Sequence, residues 1–400
     1  MLVFCLEELS FIYQNVAMKI AIVGTGLLGM QAALFFHAMD CHVILLGAEN
    51  ERPLGGELAR LGAFCPELVS NDPDCQQTYA ELAHMCKNLG QKCEELGLLI
   101  RGRVTLIRKC TLTLAGPLIG DARMRDLFRL HYRRSTYESF VDADVVIDAR
   151  GPGRPCGLSL DGARALGESD IKSSKLIYGI PGPEQWQEIE RDLPNMPDPI
   201  RVLICGSGET SACLFLRWVQ VLKNSSKALS LVVLSDEQKF YGQLKQDEYF
   251  RPKLEAAINW GHENYQNAYA KYGQDLKAWE ALEDYVQAKV PKPVPPRFQI
   301  EFIGEAHVQA IDAPVDRKDL FLTYDTVRWD HGELINKGPF TIGADLVFVA
   351  TKRFPAQDCS VILLPDEPGH YHLRASPPLK NGLLNIELIK RDLSRFFHRA

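Results

Sequence analysis

Two short segments of this sequence place glycines where a strand turns into a helix. Residues 19–30, KIAIVGTGLLGM, run from an apolar strand into glycines spaced G-x-G-x-x-G, and residues 201–212, RVLICGSGETSA, repeat the plan with a serine in the last position. The first glycine allows a tight turn, the second leaves room for a pyrophosphate, and the third brings helix and strand together. The free amides of the helix N-terminus then bind the phosphates. The chain is therefore predicted to hold two dinucleotides.

The predicted binding residues are the turns themselves. In the first turn they are Gly24, Thr25, Gly26, Leu27, Leu28 and Gly29. In the second turn they are Gly206, Ser207, Gly208, Glu209, Thr210 and Ser211. Ser211 is small enough to preserve close packing. The alternative is a glycine turn that only packs, which is common for an isolated motif.

A second repeated pair strengthens the prediction of binding. Far downstream of its own turn, each half has a buried strand that ends in small residues: ADVVIDARG at 143–151 and ADLVFVATK at 344–352. We expect their ends to contact the nucleotides through Ala149, Arg150, Gly151, Thr351 and Lys352. Arg150 and Lys352 are either phosphate ligands or solvent-exposed loop cations.

Alternating elements surround these motifs and predict an α/β fold. A strand at 19–23, a helix at 27–39 and the strand CHVILL form one βαβ unit; residues 201–205, 209–223 and 228–236 form another. Such units imply parallel strands with right-handed crossovers. Further predicted elements are helices at 75–97, 253–288 and 382–398, and strands at 103–114, 127–132, 298–303, 320–324 and 340–350. The Gly- and Pro-rich residues 152–200 are expected to cross between domains, with PNMPDP (194–199) as a linker.

Composition excludes several classes of protein. The chain has 400 residues, enough for two domains, and a net charge of −6 without a basic half, which disfavours a nucleic-acid partner. No apolar run approaches the roughly 18 residues of a membrane span. Eleven scattered cysteines without a C-x-x-C motif indicate a reducing, cytoplasmic compartment. Cys86 and Cys93 share a helix face, where core packing is favoured over a redox or metal pair. Residues 1–17 are expected to be an appended arm or a start-codon artefact.

The motifs together resemble the two-dinucleotide-domain flavoproteins: flavin-containing monooxygenases, N-hydroxylating monooxygenases and thioredoxin-reductase-like enzymes. The resemblance spans most of residues 18–400 and rests on GTGLLG, PLGG, DVVIDARG, GSGETSA, LVFVAT and the closing GHYHL…GLLNIELIKRDL. It implies two Rossmann-like three-layer domains plus a helical insert, with FAD and NADPH or NADH as cofactors. The FAD domain is expected at 18–193 and 341–400. It is interrupted by an NAD(P)H domain at 200–340 with its insert at 253–290.

The resemblance assigns further residues and shows departures. Gly55 and Gly56 of PLGG are implied to contact FAD. The family usually ends its second strand in a carboxylate that binds the FAD ribose, but Gly47 stands there and Glu49 follows two residues late. Either Glu49 reaches back to the ribose or the contact is absent.

Nucleotide preference in the second unit stays open. Asp236 ends the second strand, where an acid favours the ribose 2′-hydroxyl of NADH. Ser235 and Lys239 lie beside it and are candidate ligands of the 2′-phosphate of NADPH, towards which the resembling monooxygenases lean.

The sequence offers no protein nucleophile, which fits chemistry supplied by a flavin. His370 and His372 alternate on a predicted strand that the family brings near the flavin; a packed or surface position is the alternative. The aromatic face of the insert, Tyr265, Tyr269 and Tyr272, either packs on the nucleotide domain or lines a substrate pocket.

The expected function is oxidation of NAD(P)H through FAD, most simply a monooxygenase acting on a small amine, sulfide or amino-acid derivative. The alternatives are a flavin reductase or dehydrogenase that passes electrons to a partner, and a non-catalytic redox sensor or scaffold. A small-molecule substrate is expected, no nucleic acid and no membrane, and a homodimer is compatible with the family.

Overall fold

A computed structural model gives the architecture of the chain. It describes residues 18–47, 54–67, 77–114, 123–151, 157–159, 163–224, 228–238, 250–294, 299–314, 319–330, 333–351, 360–362, 367–373 and 385–393. The predicted arm at 1–17 lies outside these residues. Among the described helices, none is both long and apolar enough to cross a bilayer.

The chain forms two compact units, each with its own core. Unit 1 takes the described residues of Met1–Gly62, Asp74–Gly153 and Pro355–Ala400, and unit 2 those of Ala63–Pro73 and Arg154–Phe354. Each unit contains one five-stranded parallel sheet and a second sheet, which is mixed in unit 1 and antiparallel in unit 2. The fold is thus two Rossmann-like α/β units.

Unit 1 is built on the predicted first βαβ motif. Its strands and helices are β1 (Lys19–Val23), α1 (Leu27–His37), β2 (His42–Gly47), α2 (Gly56–Phe64), α3 (Tyr79–Glu95), β3 (Leu99–Arg101), β4 (Arg103–Leu114), β5 (Arg123–Arg134), β6 (Tyr137–Ala143), β7 (Val145–Asp148), and later β16 (Ser360–Ile362) and β17 (His370–His372). The parallel sheet has the order β17-β7-β1-β2-β3. Helix α3 starts at Tyr79, because Thr78 and Glu81 form a capping box.

Buried strands form the centre of unit 1. Ile20, Ile22 and Ile147 are fully buried on one face of the sheet with α1 and α3, and Ala21 and Val146 are buried on the other face with β4 and β5. Strands covered on both faces read as continuous apolar runs, which is why β1, β2 and β7 are evident in the sequence.

Unit 2 repeats the plan. Its elements are β8 (Leu176–Tyr178), α4 (Pro183–Asp192), β9 (Ile200–Cys205), α5 (Glu209–Asn224), β10 (Leu229–Leu234), α6 (Phe250–Glu280), α7 (Asp284–Gln287), β11 (Gln299–Ile303), β12 (Ala306–Asp312), β13 (Leu320–Asp330), β14 (Glu333–Ala344) and β15 (Leu346–Val349). The parallel sheet has the order β11-β10-β9-β15-β8. Strand β15 pairs with β9, as Val347 with Leu203.

The unit boundaries differ from the expected 193 and 341. Strands β8 and β15 pair with each other, and β15 also pairs with β9, so both strands join the parallel sheet of unit 2. The expected linker 194–199 is not a domain boundary, because both of its flanks lie in unit 2. A short 3₁₀ turn at Leu193–Asn195 leads there directly into β9.

The helical insert joins the core only at its start. Leu254, Ala257 and Gly261 are buried, whereas Tyr269 is 42% exposed. The rings of Tyr265 and Tyr269 contact each other with centroids 4.7 Å apart and planes tilted by 56°. Packing of the whole tyrosine face in the core is therefore not observed.

Candidate dinucleotide-binding sites

The first glycine turn is shaped by its contact with the end of β7. The Gly24 N–H donates to Leu46 O (2.7 Å) and the Ala149 N–H to Val23 O (2.8 Å), which fixes the ends of three strands together. Gly24 has φ +120°, and a Cβ there would lie 2.5 Å from the carbonyl oxygen of Ala149. Only glycine meets both requirements.

The next two glycines of this turn differ in what surrounds them. A Cβ at Gly29 would lie 1.9 Å from Gly24 O, so α1 sits directly on the turn. Gly26 has φ −73°, and none of the described residues lies within 4 Å of its missing Cβ. It caps α1 without a side-chain hydrogen bond, and the first turn of α1 contains no acidic residue. The N-terminus of α1 thus offers amides and open space to an anion, as a pyrophosphate site requires.

The PLGG segment lies beside this opening. The Gly55 N–H donates to Thr25 O (2.9 Å), and a Cβ at Gly56 would lie 3.9 Å from Gly26 Cα. Leu27 is buried in the core and Leu28 is half-buried. The residues predicted for the first nucleotide from 24 to 29 and from 55 to 56 are therefore brought together.

The family's ribose carboxylate has no counterpart at the end of β2. Gly47 has φ +156°, and a side chain there would meet the Thr25 side chain, with Cγ2 2.9 Å from the added Cβ. Thr25 is buried and fills this place. The prediction for Glu49 lies outside the described residues. The turn fits a pyrophosphate, while the described residues place no acid at the ribose position.

A buried ion pair terminates β7. Asp148 is 4% exposed, and both of its oxygens accept from Arg150: Nε to Oδ1 at 2.9 Å and one terminal nitrogen to Oδ2 at 2.7 Å. Burial alone would raise the pKa of Asp148, but the hydrogen bonds and charge of Arg150 outweigh it and hold that pKa below its ordinary value. Arg150 is only 17% exposed, so it is not a solvent-exposed cation. Gly151 follows with φ +74° and open space around it.

The second glycine turn reproduces the first contact. The Gly206 N–H donates to Leu234 O (2.8 Å) and the Ala350 N–H to Cys205 O (2.7 Å). A Cβ at Gly206, which has φ +134°, would lie 2.1 Å from Ala350 O. At Gly208, too, the part of the chain that the structure describes leaves the 4 Å around the missing Cβ empty. This turn also leaves space at a helix N-terminus.

The third position of the second turn accepts a side chain. Ser211 is fully buried, and its Oγ has no hydrogen-bond partner among the described residues. Thr210 is buried, and Glu209 stands in the first turn of α5. The helix therefore approaches its strand less closely here than at Gly29, and it presents a carboxylate near its positive end.

An acid lies two residues beyond the second strand of unit 2, which ends at Leu234. Asp236 follows β10 and its Oδ1 accepts from Ser207 Oγ of the glycine turn at 3.1 Å. Ser235 is buried, and its Oγ accepts from the Glu237 N–H at 3.0 Å. Lys239 lies outside the described residues.

The end of β15 is held by a loop of unit 2. Thr351 donates from Oγ1 to Gly157 O (2.6 Å), and the prediction for Lys352 lies outside the described residues. The same loop is fixed by Glu168, a buried carboxylate that accepts from the Leu158 N–H, the Ala165 N–H and the Tyr178 hydroxyl. Burial and this hydrogen bond raise the pKa of Tyr178.

Two of these groups were missed from the sequence. Asp148 could have been found as an acid two residues before Arg150 at a strand end. Glu168 carried no such signal, because its three donors come from a loop and a separate strand.

The described cysteines do not form a redox pair. Cys86 and Cys93 are free and fully buried, and burial raises the pKa of each thiol to about 11. Thiols with such pKa values stay protonated and unreactive at neutral pH.

Sequence comparison finds no matching family model and no matching curated protein. Among solved structures, the chain is similar to the FAD-bound cadaverine monooxygenase DfoA of Erwinia amylovora, with a TM-score of 0.55, 11% identity and 94% of each chain covered. It is also similar to the HOCl-induced flavoprotein disulfide reductase RclA of Escherichia coli, with a TM-score of 0.50, 11% identity, and 94% of this chain and 71% of that chain covered. These likenesses establish the fold: the chain has the architecture of the two-dinucleotide-domain flavoproteins.

Proposed function

We propose that this protein is an FAD-dependent oxidoreductase that oxidises a nicotinamide dinucleotide. The observation that supports this most is the duplicated turn: in each unit a strand, a glycine turn and a helix N-terminus leave open space at the second glycine. Gly26 and Gly208 mark the two openings. Two openings in one chain suit one dinucleotide that stays bound and a second that is exchanged during turnover.

In unit 1 the residues that would hold the FAD pyrophosphate are Gly24, Gly26, Gly29 and the first amides of α1, with Gly55 and Gly56 beside them. When bound, FAD supplies hydride acceptance and reaction with oxygen. The chain's own contribution is orientation and exclusion of water. In unit 2, Gly206 and Gly208 would hold the second pyrophosphate, and Asp236 would accept from its ribose hydroxyls.

For the reaction class we propose a monooxygenase-like enzyme acting on a small amine, sulfide or amino-acid derivative. Support comes from the fold shared with the cadaverine monooxygenase over 94% of both chains. Against disulfide reduction stand the high thiol pKa values of Cys86 and Cys93 and a sequence without C-x-x-C. The second candidate is a reductase or dehydrogenase that passes electrons to a partner.

The proposal is tested by reconstitution and turnover. The purified chain is incubated with FAD, freed of excess nucleotide, and supplied with NADH or NADPH in air. We expect a yellow protein that oxidises the nicotinamide, with oxygen uptake stimulated by one of the small amines or sulfides. Oxidation coupled only to an artificial electron acceptor would favour the reductase. A protein that takes up no FAD would contradict both and leave a non-catalytic role.

A further inference from the structure

Strand β17 brings two imidazoles to one carboxylate at the edge of the first parallel sheet. His370 and His372 are two residues apart on a strand, which places them on the same face. Their strand pairs in parallel with β7, and His372 is in register with Asp148. Three side chains that ligate metals thus meet at one point in unit 1.

The spacing of these groups suits one ion. One ligand atom from each residue lies within 4.8 Å of the others. His372 Nδ1 is 3.6 Å from Asp148 Oδ2. Two ligands about 2.1 Å from one tetrahedral ion would be about 3.4 Å apart. A small side-chain rotation therefore completes the arrangement, and His372 is free to make it because its side chain is 50% exposed.

An unpaired nitrogen in the same cluster is a second, independent sign. His370 Nε2 is buried and has no hydrogen-bond partner among the described residues. Buried polar atoms are nearly always paired, and an absent ion is one recognised reason for an exception. The exposure of His372 gives an ion a route from solvent.

Arg150 also binds the Asp148 carboxylate, by hydrogen bonds to both of its oxygens. Its fork on both oxygens of Asp148 fixes the carboxylate plane. Each carboxylate oxygen has a second lone pair, so Oδ2 can still face an ion. The guanidinium charge nevertheless opposes a cation at this distance.

We propose that Asp148, His370 and His372 form a site for a divalent transition-metal ion of the zinc and copper type. Two imidazoles and one carboxylate favour such ions over Mg²⁺ or Ca²⁺, which prefer oxygen ligands. Arg150 sets the affinity by opposing the ion's charge. This site does not depend on the proposed flavin chemistry.

The test uses Zn²⁺ and the full chain after treatment with a chelator. Calorimetric titration should show one Zn²⁺ per chain, with Kd at least about tenfold weaker in His370→Ala and in His372→Ala. His42→Ala is the matched control, because His42 is an exposed histidine of β2 in the same sheet. It should bind as the unmodified chain does. Circular dichroism and melting curves verify folding, and half-exposed His372 keeps the test decisive if His370→Ala does not fold.

Arg150→Ala separates the proposal from adventitious binding. Removing the guanidinium should lower the Kd for Zn²⁺ at least about tenfold. The buried Asp148 carboxylate then has no other cation to compensate its charge. An unmodified chain that binds no Zn²⁺ would overturn the proposal. So would binding that neither histidine substitution weakens. Flavin uptake is not part of either measurement, so these failures leave the proposed function standing.

Discussion

The two glycine turns share a backbone and differ in the groups around it. In both, the first glycine donates to a neighbouring strand and packs on an alanine carbonyl: Gly24 on Ala149 and Gly206 on Ala350. The corresponding hydrogen bonds agree within 0.1 Å, at 2.7 and 2.8 Å for the glycine N–H donors. The duplicated part of the molecule is thus the phosphate-binding scaffold.

The difference lies at the strand end and at the helix start. Unit 1 has Gly47 at its strand end, where Thr25 fills the space, and an apolar first helical turn. In unit 2 the equivalent position holds Ser235, Asp236 follows it, and Glu209 lies in the first helical turn. A carboxylate at a helix N-terminus competes with a bound phosphate for the helix dipole. We infer that the first site holds its nucleotide tightly and that the second exchanges it.

The third position of the two glycine turns should differ most in its effect on folding stability. Gly29→Ala places a Cβ 1.9 Å from the carbonyl oxygen of Gly24. Overpacking of this kind lowers the free energy of unfolding by about 3 kcal/mol. Ser211→Ala only removes an unpaired buried hydroxyl and should cost less than about 1 kcal/mol. Urea unfolding followed by circular dichroism measures both. Equal losses would show that the two helices approach their strands alike.

The second glycines should separate binding from folding. Gly26→Val and Gly208→Val project into open space, so both proteins should melt as the unmodified chain does. Gly26→Val should weaken FAD binding about 100-fold, or about 2.7 kcal/mol. Gly208→Val should keep its FAD and lose reduction by NADH. Loss of FAD from Gly208→Val instead would reverse our assignment of the two sites.

Asp236 should set the preference for NADH over NADPH. Asp236 accepts hydrogen bonds and repels a 2′-phosphate, so kcat/KM should be higher for NADH than for NADPH. Asp236→Ser should lower that ratio at least about tenfold, while the neighbouring Glu237→Gln serves as the control. A native preference for NADPH would contradict the role given to Asp236.

The smallest change in nucleotide binding is expected from Glu209, in the first turn of α5. Glu209→Gln removes the competing charge, and a charge at a helix N-terminus is worth about 0.3–1 kcal/mol. KM for NADH should therefore fall about two- to fivefold at low salt, and the difference should shrink as salt is added. A higher KM would mean that Glu209 contacts the nucleotide favourably.

The parts predictable from the sequence were those specified locally. The apolar strands β1, β9 and β10, the turns between residues 24 and 29 and between 206 and 211, and the helices that follow are written in contiguous residues. These strands, turns and helices can be predicted from the apolar runs and the spacing of the glycines alone.

The parts that escaped prediction depend on distant partners. Strand β15 joins β9 across more than 140 residues, which moves the unit boundary away from 341. Thr25 occupies the space beside Gly47, and Asp148 pairs with Arg150 and meets His372. No local pattern specifies such contacts, because they exist only once the parallel sheet has formed.

We propose that unit 1 holds FAD and that unit 2 binds the nicotinamide dinucleotide that reduces it. An anaerobic titration of the FAD-loaded chain with NADH, followed at the flavin absorption bands, tests this most directly. We predict one FAD per chain, bleached by about one equivalent of NADH because each nucleotide carries two electrons. A chain that binds FAD yet stays oxidised in excess NADH and NADPH, or that binds no FAD, would contradict the account.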